Sequence, residues 1–194
     1  MKILISPAKS LDFDSNIGSL ECTQPVFLNK TSQINSVLKE KSPKDLMQLQ
    51  GISQKLSDLN WKRNNDYVKN HNDKNSRPAV FAFNGDVYNG IDVKTLSEDK
   101  VYDLQKSLRI LSGYYGVLKP LDLIQPYRLE MGTKIQVDDN KNLYEYWRQK
   151  ITSQLNNELA DDEPVLNLAS NEYFKAIDTK VVKTDIYTAN FKQL

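Results

Sequence analysis

The sequence predicts a mixed α/β protein: a single compact domain in which helices flank a central, mainly buried sheet. Three observations support this class. Four short apolar runs have the character of buried strands, and other apolar residues recur at helical spacing behind capping residues. The composition is that of an ordinary globular protein, with 39% hydrophobic and 26% charged residues. A chain of 194 residues is long enough for one domain with its own core, so we expect one domain over residues 1–194.

The predicted strands come from short apolar runs. The four runs are KILIS (2–6), AVFAF (79–83), LRILS (108–112) and VLNLAS (165–170). None of them alternates strictly between apolar and polar residues, which is typical of strands buried on both faces at the centre of an α/β sheet. The later stretch VVKTDIYTANF (181–191) alternates better and predicts an edge strand or a hairpin.

Helices are indicated by capping residues and by apolar spacing. Ser42 is placed to cap a helix that has Pro43 and Asp45 in its first turn, where proline and acidic residues are favoured. Thr95 and Glu98 form a capping-box pattern ahead of another helix. A third helix is predicted from apolar residues that recur every four positions, as one face of an amphipathic helix does: Leu143, Trp147, Ile151, Leu155 and Leu159.

Residues 42–63 predict a helix-hairpin-helix element within the domain. The first helix ends ahead of Gly51, which can supply a left-handed turn. Ser53 can then cap a second helix whose Leu56 and Leu59 face inward. The sequence therefore predicts two short helices joined by a tight turn.

This hairpin is a candidate phosphate-binding element. The amides of the turn and the positive end of the second helix point outward together, which suits one phosphate oxygen. Residues 30–75 carry nine Lys and Arg against five Asp and Glu, a local excess of four positive charges. Backbone amides do not read bases, so DNA would be held through its phosphate backbone without sequence preference. A hairpin that only packs is an equally good interpretation. The DNA-binding candidates are Gly51, Ile52, Ser53, Lys55, Lys62 and Arg63.

The overall charge, the lack of long apolar runs and the scarcity of Cys and His argue against membrane binding and against a metal or cofactor site. The net charge of +1 gives no global field that would attract nucleic acid or membrane. No apolar run of about 18 residues is present, so we expect no membrane partner, and the cytoplasm and a monomeric state are the default expectations. With Cys22 and His71 as the only residues of their types, soft metal ligands are scarce, and we expect no metal and no cofactor. His71 lies in the polar stretch 64–77, which predicts an exposed connection.

Each of the four strand-like runs leads into a loop rich in polar, charged or aromatic residues. In open α/β sheets, ligand sites form beyond the carboxyl ends of the strands. If these strands are parallel neighbours, their loops converge on one cleft. The residues that would line this cleft are Lys9, Asp86, Tyr88, Lys119, Tyr127, Arg128, Glu130, Asn171 and Glu172.

The cleft has two interpretations besides DNA binding. Lys119, Tyr127 and Arg128 suit a small anionic or phosphorylated ligand, with Asp86 or Glu130 as a general base for an enzyme. No nucleophile elbow, glycine-rich phosphate loop or metal-ligand spacing accompanies them, which places the enzyme hypothesis second. Alternatively, the glycines, prolines and tyrosines of these loops only shape the fold.

Four motifs resemble the bacterial peroxide stress protein YaaA family. They are ISPAKSLD near the start, FNGDVYNGID (83–92), LRILSGYYGVLKPLDLIQPYRLEMGTK (108–134) and LNLASNEYFK (166–175). The resemblance runs from Met1 to about Asp185. It implies a cytoplasmic protein of the hydrogen peroxide response that is associated with low intracellular free iron. It also implies a nearly spherical α/β domain whose helix-hairpin-helix and positive cleft bind DNA.

Two features depart from that family. Its members usually continue into a basic segment resembling Lys-x-Ala-Arg-Gly, whereas this chain stops at Leu194. Either the sequence is truncated or its basic surface is smaller than in the family. In addition, nothing in the sequence resembles an iron site, so we expect any effect on iron to be indirect.

Overall fold

The computed structural model describes residues 1–15, 17–18 and 20–189. In chain order the strands are β1 (Lys2–Ile5), β2 (Ser10–Leu11), β3 (Arg77–Pro78), β4 (Phe83–Asn84), β5 (Leu108–Ser112), β6 (Gly116–Leu118), β7 (Leu123–Ile124), β8 (Val165–Asn167) and β9 (Ile186–Thr188). The helices are α1 (Leu28–Lys39), α2 (Pro43–Gln50), α3 (Gln54–Asp66), α4 (Ala79–Ala82), α5 (Asp86–Ile91), α6 (Glu98–Ser107), α7 (Leu143–Glu158) and α8 (Asn171–Phe174), with a 3-10 turn at Val93–Thr95.

A five-stranded sheet with the order β6-β5-β1-β8-β9 lies at the centre of the fold. Strand β1 pairs in parallel with β5 on one side and with β8 on the other, so Leu4 lies between Arg109 and Asn167. Strand β9 adds in parallel to β8, whereas β6 returns antiparallel to β5. The predicted mixed α/β class with a central sheet is therefore confirmed, and the carboxyl ends of β1, β5 and β8 meet at one edge.

The edge strand predicted within 181–191 is confirmed as β9 in its described part, while residues 190 and 191 lie outside the described residues. The helix predicted from Leu143 onward is α7. Its Trp147 is buried against the sheet and donates from Nε1 to the backbone oxygen of Gly113 at 2.8 Å. Helix α6 begins at Glu98 with Ser97 as its N-cap, so the predicted start at Thr95 is two residues early.

The run AVFAF (79–83) is not a strand, and this prediction was wrong. Its first four residues form the single buried turn α4, and only Phe83 enters a strand, β4. The amides of Ala79 and Val80 donate to the backbone oxygens of Asp122 and Pro120, so the first turn of α4 is capped by a neighbouring loop. A short apolar run is equally compatible with a buried strand and a buried helical turn. Here the hydrogen bonds to the oxygens of Pro120 and Asp122 favour the helical turn.

Helices α2 and α3 are joined by the turn at 51–53. Ser42 and Asp45 form a reciprocal capping box at the start of α2, and Gly51 ends the helix in the left-handed conformation with φ of 59°. Ser53 then accepts from the amide of Leu56 and caps α3. The two helices thus follow the local signals in the sequence.

Helix α3 buries a different face from the predicted one. Leu56 and Leu59 are 38% and 42% exposed, whereas Ser57, Asn60 and Asn64 are buried. The prediction that these leucines face inward was therefore wrong. Asn60 donates to the backbone oxygen of Leu56, and a side chain of α1 donates to the backbone oxygen of Asn64. Ser57 and Asn60 are buried with their side chains hydrogen-bonded to backbone oxygens, which offsets the cost of burying them, whereas Asn64 Nδ2 has no partner among the described residues.

The stretch 64–77 is also less exposed than predicted, because His71 is only 3% exposed. Gln125 fixes the backbone of this stretch: its Oε1 accepts from the amide of Val68 at 3.1 Å and its Nε2 donates to the oxygen of Val68 at 2.8 Å. These two bonds direct His71 into the aromatic core beside Tyr67 and Tyr115. In the described part of the chain, no helix is both long and apolar enough to cross a membrane.

Candidate functional site

The loops after β1 and β8 meet at the carboxyl edge of the sheet. The amide of Ser170 donates to Ser6 Oγ at 2.9 Å, which joins the two loops directly. Tyr88 donates from its hydroxyl to the backbone oxygen of Ser6 at 3.0 Å, and so brings α5 to the same place. A Cβ atom on Gly85 would lie 3.1 Å from Ala8 Cβ, which shows how closely the loop after β4 approaches.

Three charged side chains converge on this edge. Lys9 Nζ lies 3.1 Å from Glu130 Oε1, and Arg128 Nη2 lies 3.2 Å from the same oxygen atom. Arg128 Nε is buried and has no hydrogen-bond partner among the described residues. One carboxylate oxygen therefore serves two cations, and one guanidinium donor is left over. We call Lys9, Arg128 and Glu130 the charged triad.

Tyrosine and glutamate side chains hold the backbone around the triad. Tyr127 is buried and lies with its hydroxyl 2.7 Å from Ser112 Oγ, at the end of β5, and burial raises the pKa of Tyr127. Glu172 in α8 accepts from the amide of Gly132 at 2.8 Å, which ties the loop after β8 to the segment that carries the triad. Asp86 is exposed in the first turn of α5. Asn171 is exposed at the start of α8, next to Ser170.

Lys119 does not belong to this group, which corrects the predicted cleft. Because β6 runs antiparallel to β5, the chain has returned to the opposite edge of the sheet by residue 119. There the amide of Lys119 donates to Asp122 Oδ2 at 2.8 Å, and Thr23 Oγ1 donates to Asp122 Oδ1 at 2.6 Å. Burial raises the pKa of Asp122 to about 6, although these hydrogen bonds oppose the shift.

The helical hairpin adjoins the charged triad. Gln50, the last residue of α2, donates from Nε2 to the backbone oxygen of Arg128 at 3.0 Å. Arg63 in α3 is close enough to Arg128 to be affected by its charge: burial first, and then the charge of Arg128, lowers the pKa of Arg63. Arg63 Nη1 donates to Asn60 Oδ1 at 3.2 Å, and no carboxylate pairs with Arg63 within the described part of the chain.

The other predicted hairpin residues lie on the same element. Gly51 and Ser53 are exposed in the turn and Ile52 is buried beneath them. Lys55 is exposed in the first turn of α3. Lys62 forms an exposed ion pair with Asp66, a type of pair that stabilises by no more than about 1 kcal/mol and opens readily.

The sequence model of the family described as peroxide stress protein YaaA matches residues 1–194. The chain belongs to this family. It is 50% identical over 192 residues to a UPF0246 protein of Flavobacterium psychrophilum and 52% identical over 192 residues to one of Flavobacterium johnsoniae. Each alignment covers 99% of this chain and 76% of the relative. A UPF0246 protein of Idiomarina loihiensis is 49% identical over 194 residues, with 99% of this chain and 75% of the relative covered. Membership of the YaaA family supports a role in peroxide stress.

The cavity at the triad of this YaaA-family protein is small. It has a volume of about 20 Å³ and is lined by Pro7, Ala8, Lys9, Tyr127, Arg128, Leu129, Glu130 and Tyr173. That volume holds about one water molecule. The side chains of the triad occupy the space between them, so an anion bound by both Lys9 and Arg128 would compete with Glu130.

A wider groove of about 950 Å³ lies along α7, between Tyr144 and Asn156 on one side and the stretch from Lys175 to Val181 on the other. By volume it is larger than the cavity at the triad. The groove is lined by two cations, Arg148 and Lys175, and Arg148 Nη2 donates to the backbone oxygen of Lys175 at 3.3 Å. Among the described residues, however, no buried donor without a partner lines it, in contrast to Arg128 Nε at the triad. We therefore place the candidate site at the triad and the hairpin.

Sequence reasoning missed two members of the site. Tyr173 lines the cavity and Gln50 connects the hairpin to the triad. The signal for Tyr173 was its position directly after the predicted Glu172 in a loop that follows a strand. For Gln50 no local signal exists, because its contact depends on how α2 packs against a segment 78 residues away.

Proposed function

We propose that the protein acts in the peroxide stress response by binding DNA through its phosphates, largely without base preference. The observation that carries this proposal is the hydrogen bond from Gln50 to the backbone oxygen of Arg128, which joins the hairpin and its cations Lys55, Lys62 and Arg63 to the triad. Arg63 and Arg128 both carry a planar guanidinium group, which is well matched to phosphate. The cytoplasmic location and the monomeric state expected from the sequence belong to this proposal.

The hairpin adds groups that suit the same ligand. Gly51 and Ser53 leave the turn exposed, and the amino end of α3 directs its free amides and its partial positive charge outward. Lys55 and Lys62 lie on the exposed side of α3. All of these groups recognise phosphate rather than base edges, so they support binding that is insensitive to sequence. We attribute the lower free iron implied by the family to an indirect effect of this stress role.

The salt dependence of DNA binding tests the proposal. Changing Lys55, Lys62 and Arg63 together to alanine is expected to reduce the slope of log K against log salt by about 2.7, which is about 0.9 for each lost phosphate contact. A fluorescently labelled duplex titrated at several salt concentrations provides the measurement. Two duplexes of unrelated sequence should give the same slope.

The matched control removes three positive charges elsewhere. Lys100, Lys106 and Lys180 are exposed, and the backbone oxygen of Lys106 accepts from Lys2 at the edge of the sheet opposite the triad. Changing these three lysines to alanine should leave the slope within the error of the unmodified protein. Equal slopes for the two triple variants would contradict DNA binding by the hairpin.

A second candidate function is the binding of a small anion, such as a phosphorylated metabolite, at the charged triad. The specific observation in its favour is that Lys9 and Arg128 share a single oxygen of Glu130 while Arg128 Nε has no partner. A phosphate or carboxylate group that replaced Glu130 could satisfy both cations and the free donor. In this function the triad would recognise the charged group of the ligand, and Tyr127 and Tyr173 would form the walls of the binding cavity.

Replacing Glu130 by glutamine tests this second function. Because the internal anion is removed, we expect the dissociation constant of inorganic phosphate to fall about fivefold, equivalent to about 1 kcal/mol. Isothermal titration calorimetry or a thermal-shift series would measure it. The control Glu40→Gln removes an exposed carboxylate at the end of α1 and should change nothing. Phosphate affinity that is absent or equal in both variants would eliminate the small-anion site and leave the DNA proposal standing.

A further inference from the structure

A tyrosine and a histidine form an isolated, buried hydrogen-bonded pair in the core. Tyr115 Oη lies 3.0 Å from His71 Nε2, and both residues are buried. The pair lies outside the charged triad and the hairpin, and neither proposed function uses it. Burying a histidine is energetically unfavourable, because its charged form is poorly solvated in an apolar core.

The neighbours of the pair fix where its protons are. The amide of Gln125 donates to Tyr115 Oη at 2.9 Å, so the phenolic hydrogen is free to point at His71 Nε2. His71 Nδ1 lies 3.1 Å from the backbone oxygen of Lys69, which can only accept, so Nδ1 carries the hydrogen. Gln125 Nε2 also lies 3.4 Å from His71 Nδ1, but it donates to the oxygen of Val68 at 2.8 Å, and the shorter contact of Nδ1 is the one with the oxygen of Lys69.

His71 is consequently a neutral base held at the phenolic hydrogen of Tyr115. Burial lowers the pKa of His71, which keeps the imidazole neutral near pH 7, and burial raises the pKa of Tyr115 well above its usual value, which keeps the phenol protonated. In this state Nε2 has a lone pair directed at the hydroxyl. The arrangement is that of a proton donor and a proton acceptor with no water between them.

We propose that Tyr115 is a one-electron redox site whose proton acceptor is His71. In the oxidation, the phenol gives one electron to a one-electron oxidant, such as an oxidised metal complex or a radical, and the oxidant is reduced. The O–H bond of Tyr115 breaks and its proton forms an N–H bond at His71 Nε2. The products are a neutral tyrosyl radical and an imidazolium, and reduction returns the proton to the oxygen.

Aromatic contacts connect this site to the surface. Tyr67 is half-buried, and its ring centroid lies 5.8 Å from that of Tyr114, which in turn lies 5.1 Å from Tyr115. Tyr127 stacks on Tyr114 at 5.0 Å and meets Tyr115 at 5.3 Å. Rings in contact allow an electron to move from the buried site to an oxidant that never enters the core. Among these tyrosines, Tyr115 is the one whose hydroxyl has an imidazole base as its acceptor. The radical is therefore stabilised on Tyr115.

Flash photolysis of a ruthenium polypyridyl complex with a sacrificial electron acceptor tests the proposal. The complex supplies an outer-sphere one-electron oxidant, and transient absorption with electron paramagnetic resonance detects the tyrosyl radical. We expect a radical in the unmodified protein whose lifetime falls at least about tenfold in Tyr115→Phe, which corresponds to about 1.4 kcal/mol in activation free energy. The phenylalanine keeps the ring contacts and removes only the hydroxyl.

Two further variants separate redox chemistry from structure. In His71→Gln the side chain can still accept a hydrogen bond from Tyr115 but cannot take up the proton, so the radical lifetime should fall as it does in Tyr115→Phe. Tyr187→Phe removes an exposed tyrosine of β9 and should leave the lifetime unchanged. A radical of unchanged yield and lifetime in Tyr115→Phe would overturn the proposal. If His71→Gln does not fold, as circular dichroism would show, the comparison of Tyr115→Phe with Tyr187→Phe decides alone.

Discussion

Replacing Glu158 by alanine should lower the free energy of unfolding by about 3–5 kcal/mol, because it leaves a buried charge without its partner. Arg109 is only 4% exposed and its Nε forms a short ion pair with the Glu158 carboxylate. Nη1 of Arg109 donates to the backbone oxygens of Gln105 and Leu108, at 3.0 and 2.6 Å.

Urea unfolding followed by tryptophan fluorescence measures this change, with Glu40→Ala as the matched control. Glu40 is exposed at the end of α1, so its removal should alter stability by no more than about 0.5 kcal/mol. Replacing both partners, as in Arg109→Met with Glu158→Leu, should recover a large part of the loss, since the uncompensated charge is gone. A loss below about 1 kcal/mol in Glu158→Ala would show that Arg109 is solvated.

Gly116→Ala is the second large effect that we expect, a loss of about 3 kcal/mol in unfolding free energy. Gly116 has φ of 77°, where an L-residue with a side chain is strained by about 1–2 kcal/mol. A Cβ atom there would also lie 2.7 Å from Cζ3 of the buried Trp147 ring, and overpacking of this kind adds about 1–3 kcal/mol. Trp147 cannot move away freely, because its indole donates to Gly113.

Gly90→Ala is the control for this substitution. Gly90 lies inside α5, and a Cβ atom at this position would meet nothing within 4 Å. Alanine in a helix interior is more favourable than glycine by up to about 1 kcal/mol, so Gly90→Ala should be neutral or stabilising. The midpoints of thermal and urea unfolding should fall in Gly116→Ala and should stay unchanged or rise in Gly90→Ala. Equal midpoints for the two variants would disprove the close approach of Gly116 to Trp147.

The sequence predicted those parts of the fold that depend on local chemistry. The runs containing Leu4, Ile110 and Val165 are strands, as expected from short runs that are mainly apolar and do not alternate strictly. Ser42 caps α2 as predicted, because capping needs only the side chain and the following turn. The failures come from tertiary context: AVFAF became a helical turn because the Pro120–Asp122 loop supplies acceptors for its amides.

The candidate site divides in the same way. Lys9, Arg128 and Glu130 could be grouped in advance because each follows, or lies near, a strand that ends at the same edge. Lys119 could not be excluded, since nothing local shows that β6 reverses direction. The position of Arg63 relative to the triad depends on the packing of α3, and the burial of that helix shows that its apolar pattern does not predict the packing.

Within the charged triad, Glu130 already pairs with both cations, and this has a consequence for the selectivity of the site. In the proposed small-anion function, an incoming anion would compete with Glu130 for Lys9 and Arg128, so the site would discriminate by the strength of the incoming charge. A monovalent ion such as chloride offers no more charge than the carboxylate that it would displace. A doubly charged phosphate offers more charge, together with extra acceptor oxygens for the free Arg128 donor. Under the proposed small-anion function, the resident glutamate would thus favour phosphorylated molecules over monovalent salt.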